Sequence, residues 1–152
     1  MQLNNFYLFI FCLIYRNRYP FVFKPNKDVL KILLKDRPKN EIVDIVSRKT
    51  ERQETPLYIA IRNHNEKIVK FLLDSGASPS EACLRVNIYS KGILKFSETA
   101  FILKKGSGWS AVHEAAIQNN PKILNMLLAT GVSPNLIDNS GKTPLLGVAL
   151  LL

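Results

Sequence analysis

The stretch GWSAVHEAAIQNNPKILNMLLATGVSPNLIDNSG, Gly108 to Gly141, decides the fold of this chain, and KTPLLGVA follows it directly. Its two bounding glycines are 33 residues apart, as are Ser110 and Thr143. Earlier, Glu54 to Ser80 reads ETPLYIAIRNHNEKIVKFLLDSGASPS and repeats the same pattern. A segment recurring at such a period is one supersecondary unit that buries its apolar face only against a neighbouring copy.

Each position of the unit has a physical reason. Thr55 is suited to cap a helix, because its hydroxyl can accept from the free N–H groups of the first turn. Pro56 follows at the first helical position, where its missing N–H costs nothing. Leu57, Ala60 and Ile61 recur at helical spacing, and the small Ala60 lets two helices approach closely. His64 and its counterpart Asn119 stand between the helices, where a left-handed backbone is expected; both residue types tolerate it. Asn65 and Asn120 cap the second helices, with Pro121 at the first helical position of the later one. Those helices are expected to bury Ile68, Val69, Leu72 and Leu73, then Ile123, Leu124, Leu127 and Leu128. Gly76 and Gly131 end them, and Ser78-Pro79 and Ser133-Pro134 prevent continuation.

A turn, two antiparallel helices and a loop at about 33 residues is the ankyrin pattern. The chain resembles the ankyrin-repeat family from about Asp28 to its end, most strongly over Glu54–Ser80 and Gly108–Ala149. The resemblance implies an all-α ankyrin-repeat solenoid of stacked helix-turn-helix units with an irregular N-terminal segment. It also implies a binding scaffold, although the fold alone names no partner.

The expected division is an apolar N-terminal segment, 1–23, and an array, 24–152. Within the array, 24–53 is a degenerate repeat, 54–80 a repeat, 81–107 a collapsed repeat or linker, 108–140 a repeat and 141–152 a truncated one. In the degenerate repeat VLKILL, Val29–Leu34, echoes IVKFLL, Ile68–Leu73, and reads as a second helix. Arg37-Pro38 breaks it, and EIVDIV, Glu41–Val46, reads as a further short helix. Lys24, Lys27, Lys31 and Lys35 form a positive stripe diluted by Asp28, Asp36, Glu41 and Asp44. From Thr55 to Ser110 is 55 residues, one period plus 22, with no second helical pair between them. Direct stacking of the two good repeats across a looped-out or weakly helical 84–106 is therefore expected. KTPLLGVALLL opens a new first helix and stops, leaving Leu145, Val148, Ala149, Leu151 and Leu152 facing solvent or a missing neighbour; the expectation is a fragment of a longer array.

Phe6–Tyr15, FYLFIFCLIY, is half the length a spanning helix needs and lacks the basic start and cleavage site of a secretory signal. A strand or short helix on the first repeat, a membrane-directing segment, or sequence foreign to the domain all fit it. The expected compartment is the cytoplasm, with the nucleus and a membrane association through 6–15 left open.

The chain has 152 residues and carries 21 Lys and Arg against 12 Asp and Glu, a formal net charge of +9. That favours acidic proteins, anionic lipid or nucleic acid, or simply supplies a soluble basic surface. Its two cysteines, Cys12 and Cys83, form no CxxC or Cys/His cluster, so no metal site or disulfide framework is expected.

No nucleophile–base or paired-carboxylate constellation appears, so neither enzyme activity nor a cofactor is expected. Gly141-Lys142-Thr143 lacks the earlier glycine of a phosphate loop, with Leu136 in its place. It reads instead as the end of the Asp138–Gly141 turn and a helix cap. Lys104–Gly108 reads as a linker rather than an anion site. His113 beside Glu114 suggests acid–base chemistry in isolation. As the repeat's usual histidine, His113 is instead expected to bond to turn backbone.

GWSAVHEAA, Gly108–Ala116, is similar to repeats of the ankyrin-repeat and SOCS-box proteins, substrate receptors of cullin-RING ubiquitin ligases. That resemblance implies substrate recognition, with elongin B/C and cullin as partners only of a longer form bearing a SOCS box. An unrelated ankyrin scaffold fits equally. The family's variable positions, mapped here, name Lys49, Glu51, Arg52, Glu54, Arg62, Asn63, Trp109, Ile117, Gln118, Asn139, Ser140 and Lys142 as partner-binding. Trp109 and Arg62 are the expected anchors, so Trp109→Ala should weaken binding with little loss of fold, unless the ring covers the neighbouring turn.

Overall fold

The computed structural model describes residues 27–50, 53–83 and 108–149. They contain α1 (Lys27–Leu34), α2 (Lys39–Ser47), α3 (Pro56–Arg62), α4 (Glu66–Asp74), α5 (Ala111–Ile117), α6 (Pro121–Leu128) and α7 (Pro144–Ala149). α3 with α4 and α5 with α6 form helical hairpins. α3 lies against α5 and α4 against α6, so first helices stack on first and second on second. α7 continues the row on α5, while α1 meets α4 and α2 meets α3. The two good repeats thus stack directly. Among the described residues no helix is long and apolar enough to cross a membrane. The run 6–15, residues 84–106, Lys24, Glu51, Arg52 and Leu151–Leu152 lie outside the described residues.

Capping follows the residue chemistry. The Thr55 hydroxyl accepts from the Tyr58 N–H at 3.2 Å, Asn65 from Ile68 at 3.2 Å and Asn120 from Ile123 at 3.1 Å. Each such cap contributes about 1 kcal/mol. His64 (φ 53°) and Asn119 (φ 51°) are left-handed as expected. They let the Asn65 and Asn120 N–H groups return to the Ala60 and Ala115 carbonyls at 3.0 and 3.3 Å, closing α3 and α5 with Schellman turns. Gly76 (φ 94°) ends α4 the same way, through Ala77 N–H to Leu72 C=O at 3.0 Å.

The core fills the space between the helix layers. Ile68, Val69, Leu72, Ile123 and Leu127 are buried, whereas Leu73, Leu124 and Leu128 are half-buried. Leu30 and Leu34 of α1 and Ile45 and Val46 of α2 join the same cluster. α3 departs from a one-sided stripe: Pro56 to Ile61 are all buried. It is enclosed by α2, α4 and α5, so Tyr58 and Ile59, off the expected face, are covered too. Full burial of a large apolar side chain contributes roughly 1.5–3 kcal/mol, which makes stacking outweigh capping.

The turns ahead of α3, α5 and α7 share one register. Thr50, Cys83 and Asp138 open them, and their N–H groups donate to the carbonyls of Glu54, Trp109 and Lys142 at 3.0, 2.7 and 2.9 Å. The residue before each closing position is left-handed: Gln53 (φ 58°), Gly108 (φ 60°) and Gly141 (φ 74°). Gln53 takes this conformation without being glycine, asparagine or histidine, which its sequence did not signal. Opening and closing residues are four apart in the outer turns and 26 apart in the middle one. The excess is the 22 residues by which the spacing of Thr55 and Ser110 exceeds one period.

Candidate interaction face at the turn tips

The turns form a linked row. Lys49 Nζ donates to the Ala82 carbonyl at 2.9 Å and pairs with Glu81 at 3.1 Å, tying the first turn to the second. Trp109 Nε1 donates to Asp138 Oδ2 at 3.1 Å, tying the second to the third. The Trp109 ring is only 8% exposed. It packs with Tyr58, Cys83 and the partly buried Ile117, and its centroid lies 5.7 Å from that of His113. Trp109 is therefore not a surface anchor: it covers the neighbouring turn.

Glu54 is fully buried, and its carboxylate pairs with Arg62, whose side chain is 15% exposed. Burial alone would lower the Arg62 guanidinium's pKa; pairing with Glu54, helped by Tyr58 and Glu114, outweighs it and raises the value. So Arg62 is spent on a neighbour within its own repeat, and neither residue presents a free charge at the surface. A buried ion pair of this kind is costly to break from one side, because the remaining charge is left stranded.

Beside it, Tyr58 Oη donates to Glu114 Oε2 at 2.8 Å, and Gln118 Nε2 donates to Glu114 Oε1 at 2.9 Å. Tyr58 occupies the place His113 holds one repeat later. There His113 Nδ1 accepts from the Ser110 N–H at 3.3 Å while Nε2 meets the Lys142 carbonyl at 3.0 Å. A carbonyl can only accept, so Nε2 carries a proton toward it. His113 thus bonds to turn backbone, as expected. Its neighbour Glu114 faces a different set of partners, and both side chains are buried. Sequence reading missed the Tyr58–Glu114 bond. Its one signal was tyrosine standing in a histidine position, with a carboxylate in the next first helix.

Asp138 organises the last turn. Its Oδ1 accepts from the N–H groups of Ser140 at 2.7 Å and Lys142 at 2.9 Å. Burial pushes its carboxyl up, but those two N–H groups and the Trp109 indole outweigh burial and hold it below the usual carboxylate range. Gly141 N–H meets the Asp138 carbonyl at 3.0 Å, and Thr143 Oγ1 accepts from Leu146 N–H at 3.3 Å. The Gly-Lys-Thr run is turn and cap. Cys83 is buried against Thr55, and burial pushes its thiol up despite the hydroxyl contact. No group of three His, Cys, Asp or Glu placed for a metal occurs among the described residues.

Several described polar residues of this row reach the surface. Asn139 and Ser140 are exposed, and Lys49, Asn63, Gln118 and Lys142 are half-buried. Asn63 and Gln118 are the C-cap positions of α3 and α5.

The sequence matches known repeat proteins. A family model described as "Ankyrin repeats (3 copies)" matches residues 21–83, and one described as "Ankyrin repeat" matches residues 107–139. The chain is 37% identical over 93 residues to a putative ankyrin repeat protein of Rickettsia felis, a match covering 56% of this chain and 33% of that protein. It is 26% identical over 135 residues to the nuclear factor NF-kappa-B p105 subunit of Gallus gallus, covering 79% of this chain and 14% of that protein. In both matches the shared region is a third or less of the relative's length. The two family models fall on either side of the widened middle turn, and together with the stacked hairpins that flank it they mean that the chain belongs to the ankyrin-repeat family.

Proposed function

We propose that the array is a protein-binding scaffold that grips its partner along the row of turns and the adjoining first helices. The observation that carries this reading is the rigid linkage of successive turns through Lys49 and Trp109. It holds Asn139, Ser140, Lys142, Asn63 and Gln118 on a preorganised surface, and preorganisation lowers the entropic cost of association. Among the described residues, Tyr58, Glu114, His113 and Asp138 meet partners within the array. The test is a lysate pull-down with the chain and its Ser140→Arg/Lys142→Glu variant, both checked for equal melting temperature. Loss of the specifically retained proteins from the variant is expected; an unchanged set would place binding elsewhere.

The finer reading, substrate recognition for a cullin-RING ligase in a longer form, rests on the likeness of GWSAVHEAA. Recovery of elongin B/C with that longer form tests it, and its absence would end that reading. The formal net charge of +9 supports polyanion binding as an alternative. Affinity for duplex DNA or anionic vesicles would then fall steeply with added salt.

A further inference from the structure

The second helices form a layer of their own, α1 against α4 and α4 against α6. VLKILL in α1, IVKFLL in α4 and ILNMLL in α6 set the three in one register. In that register Ile32, Phe71 and Met126 stand level with one another on the outer side. Ile32 is 72% exposed. Phe71 and Met126 are half-buried: each leans on the core and leaves part of its side chain outside. Lys31 and Lys70 directly precede this apolar row, and Lys67 and Lys122 lie one helical turn before it; all are exposed. Side chains on a helix lean toward its N-terminus, so these lysines gather along that edge of the row. Asp28 and Glu66 share the edge, and Glu66 reaches Lys122 at 3.9 Å. Three residues beyond the row stand Lys35, Asp74 and Ala129, one cation, one anion and a neutral residue. The outer face is thus an apolar row with a basic edge and a neutral edge.

We infer that this outer face of the second-helix layer is a second docking surface, and that its occupant is an acidic amphipathic helix lying across α1, α4 and α6. Charge complementarity selects the occupant: Lys31, Lys67, Lys70 and Lys122 outnumber Asp28 and Glu66 along one edge, so a ligand with carboxylates on the matching edge is favoured and a basic one is rejected. Spacing selects its conformation. Packed helices lie about 8–10 Å apart, and seven residues of an α-helix advance about 10 Å. A crossing helix with an apolar side chain at every seventh position therefore meets Ile32, Phe71 and Met126 in turn, and its acidic edge runs along the lysines. An anionic bilayer fits the same face less well, because Phe71 and Met126 are half sunk in the array and leave Ile32 alone to insert. The first helices and the row of turns belong to the other layer, so this surface is separate from the turn row and does not rest on the function proposed for it.

The test titrates the full chain into a fluorescein-labelled helical peptide with Leu at every seventh position and Glu along one edge, read by anisotropy. The same peptide with Lys in place of Glu, and vesicles containing phosphatidylserine, run beside it. Binding of the Glu peptide, weakened by added salt, with none of the Lys peptide, is the expected result. Lys67→Glu/Lys70→Glu and Ile32→Asp alter exposed side chains, so both variants should keep the parent's melting temperature. Each should weaken the Glu peptide about tenfold, the first by reversing two surface charges and the second by removing the protruding apolar contact. Ser140→Arg/Lys142→Glu, on the turn row, should bind it as the parent does. No binding of the Glu peptide, equal binding of both peptides, vesicle binding without peptide binding, unchanged affinity in either second-helix variant, or a loss in the turn-row variant would each overturn the inference.

Discussion

Removing the Trp109 side chain tests whether this residue holds the array together or faces a partner. Trp109→Ala deletes an indole that is 8% exposed, packed against Tyr58, Cys83 and Ile117, and hydrogen-bonded to Asp138. Truncating a buried tryptophan costs about 3–5 kcal/mol. Its hydrogen bond to a charged acceptor is worth about 1.5–3 kcal/mol and is already part of that loss. An expected cost of about 4 kcal/mol is a large share of a total stability of roughly 5–15 kcal/mol. Trp109→Phe separates the contributions: it keeps most of the packing, loses the bond, and should cost about 2 kcal/mol. Urea unfolding followed by far-UV circular dichroism reads both variants, since Trp109 is the chain's single tryptophan and its fluorescence disappears with it. A fall in the urea midpoint with unchanged slope is the expected form. An Ala variant within about 1 kcal/mol of the parent would refute the packing argument and return Trp109 to the surface role its sequence position suggested.

The remaining predictions use the same turns. Tyr58→Phe leaves the buried Glu114 carboxylate one donor short and should cost about 1–3 kcal/mol; adding Glu114→Gln should cost less than the singles summed, which a double-mutant cycle measures, and strict additivity would deny the bond. Asp138 is held below its ordinary range, so its contribution is present above the unfolded value near 3.9 and is lost as pH falls through the lower folded value. Asp138→Asn should accordingly flatten the acid side of the stability–pH curve, and an unchanged curve would contradict the Asp138 geometry. Gly108→Ala and Gly141→Ala share a left-handed backbone, a strain of about 1–2 kcal/mol, but only the first Cβ meets a neighbour. Denaturant unfolding should therefore find Gly108→Ala the worse by a clear margin, and equal losses would argue against the close fit of Gly108 on Asn139.

The sequence alone determined whatever is local. Thr55, Asn65 and Asn120 cap because a short polar side chain beside an apolar run satisfies free N–H groups wherever it occurs. His64, Asn119 and Gly76 turn left-handed because few residue types do so at low cost. The period of 33, broken by 22 extra residues, already set the two good repeats apart by more than one unit. What required tertiary structure was the direction of each side chain once neighbouring repeats closed around it. Trp109, Arg62 and Glu54 look like anchors on a single repeat, and they become interior only when the next turn supplies Asp138 and α3 folds against α5. The Tyr58–Glu114 bond spans 56 residues of chain, so no local pattern could announce it. Burial and pairing at a repeat interface belong to two units at once, and a periodic sequence specifies each unit far more directly than the surface between them.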